Sequence, residues 1–466
     1  MNNRLFFALL LLVCPALAAA ADSPRKPNIV VIVGDDMGYA DVGFHGAKDI
    51  PTPHLDALAG AGVRFTNGYV SGPYCSPTRA GLLSGRYQTR FGHEFNAGGE
   101  GGGLPLSVTT LPDRLKAAGY RTGMVGKWHL GSKPAQHPQK RGFDEFFGFL
   151  GGAHSYFSKA GILHGTEPVA ELDYTTDAFG REAVSFIQRH KDQPWFLYLT
   201  YNAVHTPMDA TDDRLAKFAH IADKKRQTYN AMMLAMDESI GQVRKTIADL
   251  GLEQNTLVMF ISDNGGPTML GTTTNGSVNT PLRGSKRTTL EGGIRVPFVV
   301  SWPGRIKPAV YDKPVIQLDL HATALAAAGI EPKEDWKLEG VNLLPYLAGE
   351  KTGTPHDALY WRFGKQMAIR DGDWKLVRYD LGVENTAGSR GERSPVSEIK
   401  LYNLAADIHE DKDLAPTMPD KVKELQAKWD AWDKQNIPAG GKDDGKDNDG
   451  PEPAGKRKGK NKPVVE

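Results

Sequence analysis

Cysteine is nearly absent from this 466-residue chain, which has two, Cys14 and Cys75. Cys14 falls in an N-terminal stretch that reads as a removable signal, so the mature chain keeps Cys75 alone and forms no intramolecular disulfide. That excludes the small disulfide-stapled scaffolds. A surplus of charge is missing too, with 56 Lys and Arg against 55 Asp and Glu, so the whole-chain field gives nucleic acid and anionic membranes no hold. No later segment approaches the roughly twenty apolar residues that span a bilayer, and no stable membrane association is expected. With 40% hydrophobic residues the chain has enough apolar material for a large domain and a smaller companion, which rules out wholesale disorder.

What is present begins with Arg4, the apolar run Leu5 to Val13 and Ala18-Ala19-Ala20, the pattern of a secretory signal peptide over residues 1–20. Export to a periplasmic or extracellular space follows. Bulky Val13 argues against Cys14 as a lipid anchor. A lone thiol in an oxidising compartment is a liability unless it is buried, modified or chemically employed, and this directs attention to Cys75.

Asn28 to Val33 (NIVVIV) is a continuous β-branched run that stops at Gly34-Asp35-Asp36, as a buried strand entering a polar site does. Trp195 to Thr200, Thr256 to Ile261 and Pro297 to Ser301 repeat the pattern. Helix-like stretches at Leu111 to Ala118, Ala178 to His190 and Asp223 to Leu250 lie between them. The expected fold is α/β, a mainly parallel sheet flanked by helices, over residues 21–347. Residues 348–437 read as a smaller antiparallel sheet, with strands at Ala358 to Arg362, Met367 to Arg370 and Trp374 to Tyr379, plus one helix at Asp420 to Gln435. Residues 438–466, rich in Gly, Lys and Asp, have almost nothing to bury and read as a disordered tail.

Cys75 lies in Pro73-Tyr74-Cys75-Ser76-Pro77-Thr78-Arg79, followed by Leu82-Leu83-Ser84-Gly85. Ser76 suits an N-cap and Pro77 the first helical position, so Cys75 is expected just ahead of a helix N-terminus, where anions are favoured. Asp35-Asp36 and Asp263-Asn264 both follow strand-like runs. Three carboxylates and an amide oxygen at one sheet edge would repel one another without a cation, and all-oxygen ligation suits a hard divalent ion such as Ca²⁺ or Mg²⁺.

The Cys-x-Pro-x-Arg frame with its Leu-Leu-x-Gly run resembles the signature of the formylglycine-dependent type I sulfatases, arylsulfatase-like members of the alkaline phosphatase superfamily. Gly119 to His129 (GYRTGMVGKWH) is similar to that family's second signature. The resemblance continues, in the family's order, through Asp35-Asp36, Asp263-Asn264-Gly265, Gly284-Ser285-Lys286, Glu291 to Pro297 and Leu401 to Leu404. Tyr74 departs from the pattern, since smaller residues are usual there.

The resemblance implies that a maturation enzyme oxidises Cys75 to Cα-formylglycine, and that one calcium is held by Asp35, Asp36, Asp263, Asn264 and the modified Cys75 side chain. It further implies that Arg79 orients the aldehyde hydrate and His129 handles its proton. Lys127 and Lys286 meet the sulfate, and His205 with Lys286 protonates the leaving oxygen. A cysteine thiolate would form a thiosulfate ester with no easy exit. The hydrate has two hydroxyls, one to attack sulfur and one to expel sulfate. Either Ser155 or His154 corresponds to a substrate-binding position.

The expected substrates are sulfated carbohydrates, from glycosaminoglycans or algal polysaccharides, or aryl sulfates. His93, Glu94, His154, Tyr156, Trp361 and Arg362 are candidate sugar contacts. One alternative is a phosphomonoester or phosphodiester hydrolase of the same superfold, against which Asn264 speaks, because an Asp-His pair there would serve a second metal. The other is a glycan-binding relative without catalysis, against which Cys75, Lys127 and His129 speak.

Overall fold

Every residue of the run Asn28–Gly34 is buried, the condition of a strand covered on both faces. It is the first of sixteen strands in the computed structural model, which describes residues 25–96, 102–270, 272–384 and 395–439. The expected signal peptide and all but two residues of the expected tail lie outside the described residues. In chain order the strands are β1 (Asn28–Gly34), β2 (Val63–Phe65), β3 (Gly68–Tyr69), β4 (Arg121–Lys127), β5 (Glu145–Phe149), β6 (Leu163–His164), β7 (Glu167–Pro168) and β8 (Trp195–Thr200). They continue with β9 (Thr256–Ser262), β10 (Phe298–Ser301), β11 (Ala309–Tyr311), β12 (Val315–Ile316), β13 (Ala358–Phe363), β14 (Gln366–Asp371), β15 (Trp374–Arg378) and β16 (Lys400–Asn403).

Ten of these form one sheet in the order β11-β2-β10-β9-β1-β8-β4-β5-β6-β7. Its centre is parallel, with β1 between β9 and β8, β8 beside β4 and β4 beside β5. β10 runs antiparallel to β9, so the run at Pro297 to Ser301 does not extend the parallel block. Alternation along the strands divides the core. Val30, Ile32, Leu197, Leu199 and Phe260 pack with the helices Thr175–Arg189 and Lys224–Asp249. Ile29, Val31, Val33, Tyr198 and Met259 pack with the helices Cys75–Ser84, Leu111–Ala117 and Leu318–Ala327. No helix among the described residues is long and apolar enough to cross a membrane.

The antiparallel sheet β13-β14-β15-β16 carries the helix Pro419–Asp433 on one face, through Met367, Ile369, Leu376 and Leu425. Its other face lies on Tyr69, Leu290 and Ile294. A fully buried ion cluster reinforces that seam, with Lys375 Nζ 2.8 Å from Glu291 Oε1 and 2.9 Å from Glu410 Oε1. The loop that bears Lys286 is therefore backed by the second sheet.

Candidate active site

Parallel neighbours discharge their carboxyl ends at one edge, where α/β sheets bind ligands. Asp35 and Asp36 follow β1, Asp263 and Asn264 follow β9, Lys127 ends β4 with His129 two residues on, and His205 lies in the loop after β8. Asp36 (φ 61°) and His129 (φ 56°) both adopt the left-handed conformation, uncommon for residues with a side chain and frequent at functional turns. Gly265 lets this edge close. Its amide donates to Gly293 O at 3.0 Å, and a Cβ there would sit 1.8 Å from Gly292 O.

Cys75 arrives from the other core as the first residue of the helix Cys75–Ser84. The expected Ser76 cap is not used; Tyr74 occupies the N-cap position, and its side chain does not cap the helix. The Ser76 hydroxyl is committed elsewhere, donating to His129 O at 2.6 Å, with His93 Nε2 2.7 Å away. The thiol donates to Asp35 Oδ1 at 3.6 Å.

Around the thiol the charged groups interlock, all of them buried. Lys127 Nζ donates to Asp35 Oδ2 at 2.6 Å. Arg79 donates from Nε and a terminal nitrogen to Asp263 Oδ2, at 3.0 and 2.7 Å, and from its other terminal nitrogen to Lys127 O at 3.1 Å. Lys286 Nζ donates to Asp36 Oδ2 at 3.0 Å and lies 3.4 Å from His205 Nε2, which is itself 3.5 Å from Asp36 Oδ2. The His205 Nδ1 faces Thr206 O at 2.5 Å; a carbonyl only accepts, so Nδ1 carries hydrogen and Nε2 is the position that gains or loses a proton.

Burial and the Asp263 carboxylate raise Asp35 to about 6, against the opposing pull of Lys127. Burial would raise Asp263 too, but Arg79, Lys127 and Lys286 outweigh it and hold that carboxyl below its ordinary value. Burial would lower the His205 imidazole, yet Asp35 and Asp36 prevail and raise it. Burial followed by the Asp263 charge pushes the Cys75 thiol well up, which makes the unmodified thiol a weak nucleophile.

The donor set fits a hard divalent cation. One atom each from Asp35, Asp36, Cys75 and His205 lie within 4.8 Å of one another, and of these the two carboxylates are the oxygen donors that such an ion takes. Asn264 turns its Nδ2 to Asp36 Oδ1 at 2.7 Å and leaves Oδ1 buried without a hydrogen-bond partner. An orphaned amide oxygen beside three buried carboxylates is what an oxygen-ligated ion would satisfy. Asp263 has both oxygens engaged, Oδ2 by Arg79 and Oδ1 by the Asp36 amide at 3.3 Å, and retains lone pairs for a cation.

The fold thus gathers Asp35, Asp36, Cys75, Arg79, Lys127, His205, Asp263, Asn264 and Lys286 into one bonded cluster, joined to His129 through Ser76. His154 stands apart from it, with Nδ1 2.7 Å from Ser155 O, Nε2 2.8 Å from Ala160 O and its ring on Phe149. Ser155, half-buried, presents its carbonyl to that ring.

Four of the candidate sugar contacts are committed to the protein itself. Tyr156 OH shares its one hydrogen between Asn202 O at 2.6 Å and His205 O at 2.9 Å, and Trp361 Nε1 donates to Val70 O at 2.7 Å. Arg362 and Glu94 pair with each other at 2.9 Å. His93, the fifth, supports Ser76. Two bracing roles were not expected: Tyr156, expected at a sugar, lies under the His205 loop, and the Tyr74 ring, expected only as a departure from the pattern, has Lys286 Nζ over it at 5.3 Å and Arg287 Cζ at 5.7 Å. An aromatic directly before the nucleophile was the available signal for the second; for Tyr156 there was none.

This geometry has close counterparts. The sulfatase family profile matches residues 27–330, and that of the N-sulphoglucosamine sulphohydrolase C-terminal region matches residues 284–428. The chain is 36% identical to mouse N-acetylgalactosamine-6-sulfatase over 78% of its own length and 75% of the relative's. It is 36% identical to human arylsulfatase A over 88% and 89%. The solved structure of Ps i-CgsB superposes with a TM-score of 0.81 at 36% identity, covering 89% of this chain and 94% of that one. A family match over most of the α/β domain, on top of a cluster that holds the signature residues together, establishes that this chain belongs to the sulfatase family and is a sulfuric ester hydrolase.

Proposed function

We propose that the chain removes sulfate from sulfated carbohydrates outside the cytoplasm, with formylglycine made from Cys75 by a maturation enzyme and with one calcium at the carboxylate cluster. The observation that carries this reading is the seating of Cys75 at a helix start against Asp35, with Arg79, Lys127, Lys286 and His205 bonded to the three carboxylates around it. A carbohydrate substrate is supported by the similarity to N-acetylgalactosamine-6-sulfatase and to Ps i-CgsB, which has been solved in complex with k-i-k-neocarrahexaose. Export is supported by the n-region, apolar run and alanine triplet of residues 1–20. Recovery of a mature N-terminus near residue 21 from the exported fraction checks it.

When present, the formylglycine hydrate supplies an oxygen nucleophile, and calcium supplies positive charge toward the sulfate. The chain's own residues prepare the site. Arg79 locks Asp263 by two bonds and braces the strand end at Lys127. Lys127 and Lys286 bring fixed positive charge to a water-excluded region, where it stabilises an anionic transition state far more than it would in water. His129 is assigned the proton of the attacking hydroxyl. His205 Nε2, beside Lys286, holds the proton that the departing sugar oxygen needs.

Sulfate release by the matured protein from defined glycosaminoglycan and algal oligosaccharides, measured by ion chromatography beside nitrophenyl sulfate and nitrophenyl phosphate, tests this. The proposal expects sulfate from at least one oligosaccharide class. Faster cleavage of the phosphate ester would replace it with the phosphatase reading.

A further inference from the structure

Asn275 belongs to no family motif noted above and lies on no strand, yet it is completely buried. Its Nδ2 donates to two backbone carbonyls from different segments of the site, Asp36 O at 3.1 Å and Val204 O at 2.9 Å. Its Oδ1 accepts from the Ser277 amide at 3.1 Å, so both ends of the side-chain amide are engaged. The Asp36 peptide, left-handed at φ 61°, is consequently held at both ends, by Asp263 on its N–H and Asn275 on its carbonyl. Val204, the residue before His205, is likewise fixed, its amide donating to Asp35 O at 2.8 Å and its carbonyl accepting from Asn275.

The segment that presents Asn275 is itself anchored. The Val278 amide donates to Asp41 Oδ2 at 2.9 Å, and Arg226 on the long helix donates to Asp41 Oδ1 at 2.7 Å and Gly276 O at 3.0 Å. One rigidly mounted amide thus staples the backbone of a carboxylate in the candidate metal cluster to the backbone of the proposed acid.

We infer that Asn275 is a positioning residue, which sets Asp36 against His205 and thereby tunes both cation affinity and proton delivery to the leaving oxygen. The inference rests on the function proposed above. Loss of the amide leaves two buried carbonyls without a donor and releases a backbone conformation that a side-chain-bearing residue rarely holds unaided. Groups that orient metal ligands from behind are worth about 10- to 100-fold in affinity or activity.

The test uses the full-length matured protein with Asn275→Leu, close to isosteric and without donors, and Asn275→Ser, which can restore at most one of the two bonds. Calcium affinity is measured by titration calorimetry, and turnover is compared on a sulfated sugar and on nitrophenyl sulfate. For Asn275→Leu a calcium affinity about tenfold weaker or more is expected, with a sugar-to-nitrophenyl rate ratio reduced by about tenfold, and Asn275→Ser should fall between. If Asn275→Leu does not fold, Asn275→Ser decides alone. A folded variant with unchanged calcium affinity overturns the inference, and so does an equal loss on both substrates, which marks a general defect. A parent protein that neither binds calcium nor releases sulfate overturns the proposed function, and the staple's role with it; a competent parent with an indifferent variant overturns the staple alone.

Discussion

His205→Ala, read on two leaving groups, separates proton delivery from a general defect of the site. The imidazole is buried, with Nε2 3.4 Å from Lys286 Nζ and 3.5 Å from Asp36 Oδ2. A positioned general acid contributes about 10²- to 10⁴-fold, or about 2.7–5.5 kcal/mol of barrier. Lys286 remains beside the vacated position and can donate in its place, which puts the expected loss at the lower end, about 10²-fold on a sulfated sugar. A sugar alkoxide leaves poorly without a proton, whereas nitrophenolate is stable without one, so the loss on nitrophenyl sulfate should stay below about tenfold. The assay is kcat/KM for both substrates on one matured preparation, with formylglycine and calcium content measured in parallel, since incomplete conversion would lower both rates together. Equal losses on the two substrates, at unchanged formylglycine and calcium, would refute the assignment and move the acid role to Lys286.

Three further outcomes are expected. Lys375→Met leaves Glu410 without its cation in a fully buried seam, while Glu291 keeps Tyr69 OH at 2.6 Å and Arg295 at 3.3 Å, and breaking a buried pair costs about 3–5 kcal/mol; urea unfolding should show that loss, and a change below about 1 kcal/mol would mean the cluster does not hold the second sheet. Chelation of calcium should lower both turnover and Tm, with calcium restoring both, and saturation at about 100 times Kd contributing about 2.7 kcal/mol; indifference of Tm to chelator would count against a resident ion. His321 is buried, with burial foremost and then the Arg114 charge lowering it to about 3 from an ordinary 6.5. Its folded value lies below its unfolded one, so stability is complete above about pH 6.5 and is lost as pH falls toward 3, by about 2 kcal/mol at pH 5. His321→Asn should show correspondingly less destabilisation between about pH 7.5 and pH 5, and an unchanged difference would show that His321 does not titrate on unfolding.

The parts of the fold that follow from local pattern were legible. Trp195–Thr200 is a strand at the predicted residues, and the helix Lys224–Asp249 falls within the stretch Asp223 to Leu250 expected from its start and stop signals. The sense of β10 was not legible, because a short apolar run encodes burial but not direction. β4 was hidden for a related reason: Arg121–Lys127 contains two glycines among its seven residues and reads as a motif before it reads as a strand. Cys75, Arg79 and the acidic pairs stood out by residue type and place, and Lys127 by its position in the family-like segment Gly119 to His129; the fold brings them together. The supporting roles of Tyr156, Asn275 and the Ser76–His93 pair were not legible, and Tyr156 and His93 were expected at a sugar instead, since these roles rest on partners that the sequence does not bring together. Arg362 and Glu94, expected at a sugar, pair with one another, a partner that sequence separation hides.

The central claim is that catalysis depends on conversion of Cys75, and its most direct test is mass spectrometry of the peptide containing Cys75 from preparations of graded activity, made with and without a formylglycine-generating enzyme. Sulfate turnover per chain should rise in proportion to the fraction of Cys75 converted and vanish in Cys75→Ala, which should remain folded. Full turnover from a preparation in which every Cys75 is still a thiol would contradict the account.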